Sequence, residues 1–304
     1  MFDILVAGEI NPDLILSGNV IPEFGQAEKL VDNATLAVGS SSAIFACGAA
    51  RLGLKVVFIG VCGDDVFGRF MLDEMTKRNV DVSNVIVRAD GQTGFSVILN
   101  RGTDRAILTH PGLIAALHES DIPDSLLSKA RHFHSASYFL QTALQPGLSK
   151  LFSRAHSMGL TTSLDTNWDP SNEWHGFDEL LPLVDVFLPN ENEAKAIART
   201  ENVNSALVKL ASKSHMVAIK RGAEGASARL QNTSVSVPSI PVKLVDTVGA
   251  GDTFDAGFLF GYLNNWEMKK SLRLAAVCGA LSTQSAGGTN GQPTIDEAME
   301  FISE

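Results

Sequence analysis

Short β-branched and apolar runs alternate along this chain with helix-compatible stretches. That pattern predicts an α/β fold, a mostly parallel central sheet flanked by helices on both faces. The runs suit strands buried on both faces, and the stretches between them suit right-handed crossovers. Residues 2–7 form the first run, stopped by Gly8 and followed by the turn Asn11-Pro12-Asp13. Residues 40–52 are rich in small side chains and helix-compatible, and Gly53 ends them. A second strand is expected at 55–60, then an amphipathic helix at 66–77 ended by Arg78-Asn79. Further strands are expected at 161–164, 184–188 and 216–219, separated by helices such as 146–157 and 191–199. A small-residue helix follows at 273–282. Ligands of such sheets gather beyond the C-terminal ends of the strands.

Two stretches, about 14–38 and 93–109, break the alternation. They hold extended pieces, notably 94–99 and 105–108, with a turn at Arg101-Gly102-Thr103-Asp104 between them. These pieces can pair as a small separate sheet on one large domain, 1–304.

At 304 residues, with 45% hydrophobic and 19% charged side chains, the chain is globular and buries a substantial core. A net charge of -10 argues against a broad nucleic-acid footprint. Cys47, Cys62 and Cys278 are scattered without metal spacing, as for buried thiols in a reducing compartment. The N-terminal apolar run is too short for a signal peptide or a membrane span. A cytoplasmic protein with neither nucleic acid nor membrane as partner is expected.

The chemistry concentrates in Asp246-Thr247-Val248-Gly249-Ala250-Gly251-Asp252-Thr253-Phe254-Asp255-Ala256-Gly257-Phe258. Gly249, Ala250 and Gly251 leave their N–H groups unobstructed, so the turn can form an anion-binding nest. Phe254, Phe258, Leu259 and Tyr262 recur at helical spacing, so a helix is expected to begin near Asp252 and point its positive end at the same spot. A carboxylate beside an anion repels it unless it has a task, and taking a proton from an acceptor hydroxyl during phosphoryl transfer is one. The other reading is a tight turn with Asp252 as helix cap.

The run over 246–259 resembles the C-terminal signature of the ribokinase, or PfkB, family of carbohydrate kinases. The resemblance implies a ribokinase-like fold with a small β lid formed by the two inserted stretches, and a lid that pairs into a homodimer. It implies an ATP-dependent kinase acting on a sugar-like hydroxyl, with Asp252 as base and Gly249, Ala250 and Gly251 as anion hole. Asn190 and Glu193, three apart after 184–188, suit either a capped helix or magnesium bound through its waters, and resemble the family's Asn-x-x-Glu motif. Lys220 and Arg221 end a strand before Gly222 and Gly225, a place that agrees with the family's nucleotide loop. Thr247 belongs to the same nucleotide side.

Gly39-Ser40 stands where the family's Gly-Gly pair is usual, and Ile44 where an Asn commonly contacts the sugar, so the acceptor is the least determined part. Asp13 matches the family's sugar-hydroxyl ligand and equally suits a turn. Asp165 and Asn167 are candidates on the substrate side, whereas Asp169 before Pro170 reads as a turn former. His132 and His134 share one face of a strand and read as structural. By the resemblance, Cys278 faces the adenine, and Asp246 with carbonyls of 287–294 holds a monovalent cation such as potassium. The 39–44 loop carries no Arg or Lys, which favours an unphosphorylated sugar, with Lys29 or Arg105 as the lid's cations. The alternatives are a nucleoside kinase, with Ile44, Phe45 and Phe95 as an apolar wall, and a catalytically silent binder on the same fold.

Overall fold

The computed structural model describes residues 1–101 and 104–302. Among them, nine strands form the central sheet, in the order β15 (Thr233–Val237), β14 (Ala226–Leu230), β13 (Met216–Lys220), β12 (Val186–Phe187), β11 (Thr161–Leu164), β10 (His132–Ser135), β1 (Ile4–Ala7), β4 (Val56–Ile59) and β6 (Val80–Asp81). Every pairing from β13 to β6 is parallel, and β14 and β15 extend the sheet antiparallel. All four residues of β1 are buried, because successive side chains enter different cores. Ile4 and Val6 join the core under α1 (Ser41–Arg51), α7 (Ala250–Leu263) and α8 (Met268–Ser282). Leu5 and Ala7 join the core under α3 (Asp124–Leu127), α4 (Leu148–Ser157) and α6 (Val203–Ala211). The remaining helices are α2 (Val66–Lys77), α5 (Glu191–Ala198) and α9 (Ile295–Met299).

A second sheet takes the order β3 (Asn33–Val38), β2 (Pro12–Ser17), β8 (Phe95–Arg101), β9 (Asp104–His110). Its register aligns Asp13 with Ser96 and Ser96 with Thr109 across the strands. Of the turn expected between β8 and β9, Gly102 and Thr103 lie outside the described residues. A short pair, β5 (Val61–Gly63) and β7 (Ile86–Arg88), completes the strands among the described residues.

Three elements differ from the sequence expectation. Helix α7 begins at Ala250 with Gly249 as its cap, so Asp252 sits inside the first turn and is not the cap. Helix α8 begins at Met268, ahead of 273, because it packs closely against α7: a Cβ on Gly257 would lie 2.9 Å from the Ala275 Cα, and one on Gly261 2.8 Å from the Ser271 Cα. The antiparallel β14–β15 edge has no counterpart in the alternating pattern, since β14 is built mostly from small and polar residues and β15 is largely exposed, so neither has a long apolar run.

Candidate active site

The C-terminal ends of β1, β10, β11, β12 and β13 release the segments that carry Glu9, Ser137, Asp165, Asn190 and Lys220, and the N-terminus of α7 faces them. Gly249 adopts φ 72, where a Cβ would lie 2.7 Å from the Gly288 carbonyl oxygen, so the bend requires glycine. The Gly249, Gly251 and Asp252 N–H groups have no acceptor among the described residues, whereas Ala250 donates to the Thr247 carbonyl at 3.3 Å. Of the residues expected to form an anion hole, Gly249 and Gly251 thus keep open N–H groups, as does Asp252, on the positive end of a buried helix.

Asp252 is only 8% exposed, and burial pushes its carboxyl up to about 8, with Asp165 reinforcing the shift and Lys220 opposing it. One helical turn on, Asp255 is 1% exposed and shares Lys220 with Asp165, each carboxylate 3.0 Å from the ammonium. Ligand oxygens of Asp165, Asp252 and Asp255 lie within 4.8 Å of one another. Burial disfavours the Lys220 charge, but the surrounding carboxylates hold it firmly protonated. Asp255 gives little sign of itself in the sequence: only its spacing from Asp252 on one helix face does so.

Asn190 caps α5 by accepting from the Glu193 N–H at 3.0 Å, while Glu193 accepts from the Asn190 N–H at 2.8 Å. Both readings of this pair therefore meet in one place, since the capped pair also lines the cavity described next. Burial, then Asp165, pushes Glu193 up to about 7.

A polar cavity of about 500 Å³ lies between the small sheet and the central one. It brings together Asp13, Ser40, Asp165, Asn167, Asn190, Glu193, Thr247, Gly249, Gly251 and Asp252. Gly39 lies behind Asp13, whose Oδ1 stands 2.3 Å from where a Gly39 Cβ would be, so glycine there lets the carboxylate fold inward. Burial pushes Asp13 up to about 7, with Arg105 the chief opposing charge. Ser40 caps α1, accepting from the Ala43 N–H at 3.0 Å and donating to the Glu9 carbonyl at 2.6 Å. Glu9, which sequence reasoning passed over, accepts from the Ser42 and Ser137 hydroxyls at 2.6 and 2.8 Å. Asn167 donates to Ser41 and, at 2.8 Å, to Ser137. Asp169 accepts backbone N–H bonds from Ser171, Glu173 and Trp174, the turn role expected of it. Phe45 and Phe95 do not line this cavity: Phe45 stacks on His134 inside the core and Phe95 packs on Phe67. Of the apolar wall expected there, only Ile44 is in place, joined by Ile98, Ile107 and Ile114.

A second cavity, of about 610 Å³, is largely apolar, with walls from Ile240, Val242, Leu244, Phe254, Ala276 and Ala280. Gly222 at φ 54 and Gly225 at φ 86 shape its rim beside Lys220 and Thr247. Cys278 does not reach it. The cysteine is fully buried towards Gly257, its thiol pushed up by burial, and Gly279 and Ala280 supply that wall instead. Asp246 lines neither cavity; it accepts from the Val248 and Gly287 N–H groups at 3.0 and 2.9 Å and braces the two loops together.

A doubly wound sheet with open N–H groups at a helix end, a buried carboxylate beside them and two cavities meeting there fits a phosphotransferase acting on an alcohol group. The model of the pfkB family of carbohydrate kinases matches residues 1–295. The chain belongs to that family, and is a carbohydrate kinase that phosphorylates a sugar hydroxyl. It is 30% identical to the ATP-dependent ribose-1-phosphate kinase of Halopiger xanaduensis over 100% of this chain and 99% of that one. Its fold is that of Arabidopsis thaliana ribokinase solved with ribose and ATP, with a TM-score of 0.88, 21% identity, and coverage of 100% and 99%. A ribokinase-like structure from E. coli holding ATP and magnesium superposes with a TM-score of 0.86 at 23% identity, covering 100% and 99%.

Proposed function

We propose that ATP lies in the apolar cavity and the acceptor sugar in the polar one, with Asp252 taking the proton of the attacking hydroxyl. The observation that carries this reading is that the two cavities share Lys220, Gly222, Thr247 and Gly251, with Asp252 opening on the polar side. The new bond forms between the acceptor oxygen and the γ-phosphorus as the bond to the β–γ bridging oxygen breaks, so ADP leaves and the proton passes to Asp252. Free N–H groups at the head of α7 and the Lys220 ammonium stabilise the charge on the moving phosphoryl group.

Magnesium, when bound, shields the terminal phosphates. Oxygens of Asn190 and Glu193 would hold it through its waters, and the buried Asp165 Oδ1, which has no hydrogen-bond partner, fits a hard cation nearby. A monovalent cation such as potassium beside Asp246 and the 287–294 loop belongs to the same reading, as do the assignment of the small sheet as a lid and its pairing into a homodimer through the exposed edge strand β9. The chain is read as cytoplasmic; among the described residues no helix is long and apolar enough to cross a membrane.

The test is ADP release from magnesium-ATP across a panel of free sugars, sugar phosphates and nucleosides. Asp252→Asn should slow turnover by about 10²–10⁴-fold, the usual contribution of a positioned base. An Asn variant that kept most of the activity would refute the assignment.

A further inference from the structure

The polar cavity is strongly acidic: Glu9, Asp13, Asp165, Glu193 and Asp252 all line it. Two cations face them among the described residues, Lys220 and Arg105. Lys220 is already neutralised, bridging Asp165 and Asp255. Arg221, at the neighbouring apolar cavity, is likewise tied to Glu191 and Glu224. Lys29, the other cation expected near the acceptor, pairs with Glu23 at 3.2 Å and does not line the cavity.

Arg105 differs from all of these. It makes no ion pair among the described residues, although it is near enough to Asp13 to oppose the upward shift of that carboxyl. Strand β9 places it on the same face as Ile107 and Thr109, and all three line the cavity. Along that face the other polar groups are satisfied internally, Ser96 and Thr109 bonding each other at 3.0 Å. A guanidinium without an ion-pair partner at the mouth of an acidic cavity can receive an anion, because its planar fork matches carboxylate and phosphate oxygens.

We propose that the acceptor itself carries an anionic group, a phosphate ester or a carboxylate, which Arg105 holds against the small sheet while Asp13 takes sugar hydroxyls. Such a ligand meets repulsion from the acidic floor, and among the described residues Arg105 is the one cation of the cavity free to offset it. This rests on the kinase reading above and reverses the preference for an unphosphorylated sugar drawn from the 39–44 loop, which indeed contains no cation. Of the two lid cations expected from the sequence, Arg105 is the one that enters the site, from β9 and far along the chain from that loop.

The experiment compares kcat/KM with magnesium-ATP for free pentoses and hexoses, their phosphate esters and the corresponding sugar acids, in native protein, Arg105→Ala and Arg105→Lys. Native protein is expected to prefer an anionic acceptor over its neutral counterpart. Loss of one charged hydrogen-bonding partner should cut that preference ratio by about ten- to hundredfold in Arg105→Ala, mainly through KM, with partial recovery in Arg105→Lys. The ester and acid arms tell phosphate from carboxylate. Native preference for neutral sugars, or an Arg105→Ala loss equal for neutral and anionic acceptors, would overturn the inference alone. Turnover of no acceptor in any arm would overturn the kinase reading and this inference with it. Matching thermal melts of the three proteins exclude misfolding as the cause.

Discussion

Asp252 and Lys220 share one buried electrostatic problem. The carboxyl of Asp252 is pushed up to about 8, and the base proposed for it works only when ionised, so activity should rise as pH increases through that region. The Asp165 carboxylate pushes Asp252, Glu193 and Asp255 up alike, so the limb belongs to the cluster. In Lys220→Met the cation that opposes the shift is gone, so the limb should move to higher pH. The same change strands Asp165 and Asp255 without their partner, at a cost of about 3–5 kcal/mol. A pH–rate profile paired with urea melts checks both, and an unmoved limb would remove Lys220 from the electrostatics of the base. Much of this site was legible residue by residue, since Asp252, Lys220, Asn190 and Asp165 stand at strand ends or in a recognisable turn. Glu9 and Asp255 were not, because a lone acid in an apolar run or inside a helix shows its partners only once the chain is folded.

At the level of single elements, the head of α7 depends on one backbone angle. Gly249 at φ 72 turns the chain into the helix head whose first N–H groups are left open, and an added Cβ would press on the Gly288 carbonyl and the Ile44 side chain. Gly249→Ala should therefore cost about 1–2 kcal/mol from the left-handed backbone alone, lower the melting temperature, and depress kcat more than it raises the KM for the acceptor. Unchanged kcat in a folded variant would mean that these open groups are not used. Strands β1, β4, β11 and β13 and helices α1 and α2 were legible because apolar period and glycine stops agree there. The start of α8 and the β14–β15 edge were not, since the close approach of α8 to α7 and the pairing of strands without long apolar runs are tertiary facts.

Over the whole molecule, acid sensitivity comes from the middle of the sheet. His132 and His134 are fully buried, with His132 hydrogen-bonded to Thr161 and Ser163, both at 2.7 Å, and His134 to Ser163 at 2.8 Å. Burial lowers His132 to about 3 and His134 well below its usual value. A base depressed on folding contributes stability that is complete above its unfolded value near 6.5 and is lost as pH falls towards the folded one. Asp13, Glu193 and Asp252, raised on folding, act in the opposite sense: their contribution is full at low pH and fades as pH rises towards about 7 to 8. Urea unfolding of His132→Gln between pH 6.5 and 4.5 should fall less steeply than that of the native chain, by about 1.4 kcal/mol per pH unit. Parallel slopes would show that this histidine is not the acid-sensitive group.

The polar cavity has its walls on two different sheets, with Asp13 and Arg105 on the small one and Asp252 and Asp165 on the central body. On the proposed reading, a sugar gripped from both sides is a rivet between them, so its binding free energy and the docking free energy of the small sheet become a single linked quantity. Anything that loosens β2, β8 or β9 is then registered as weaker affinity at a distance. On that reading the cell's concentration of acceptor also sets how firmly the small sheet is held to the central body.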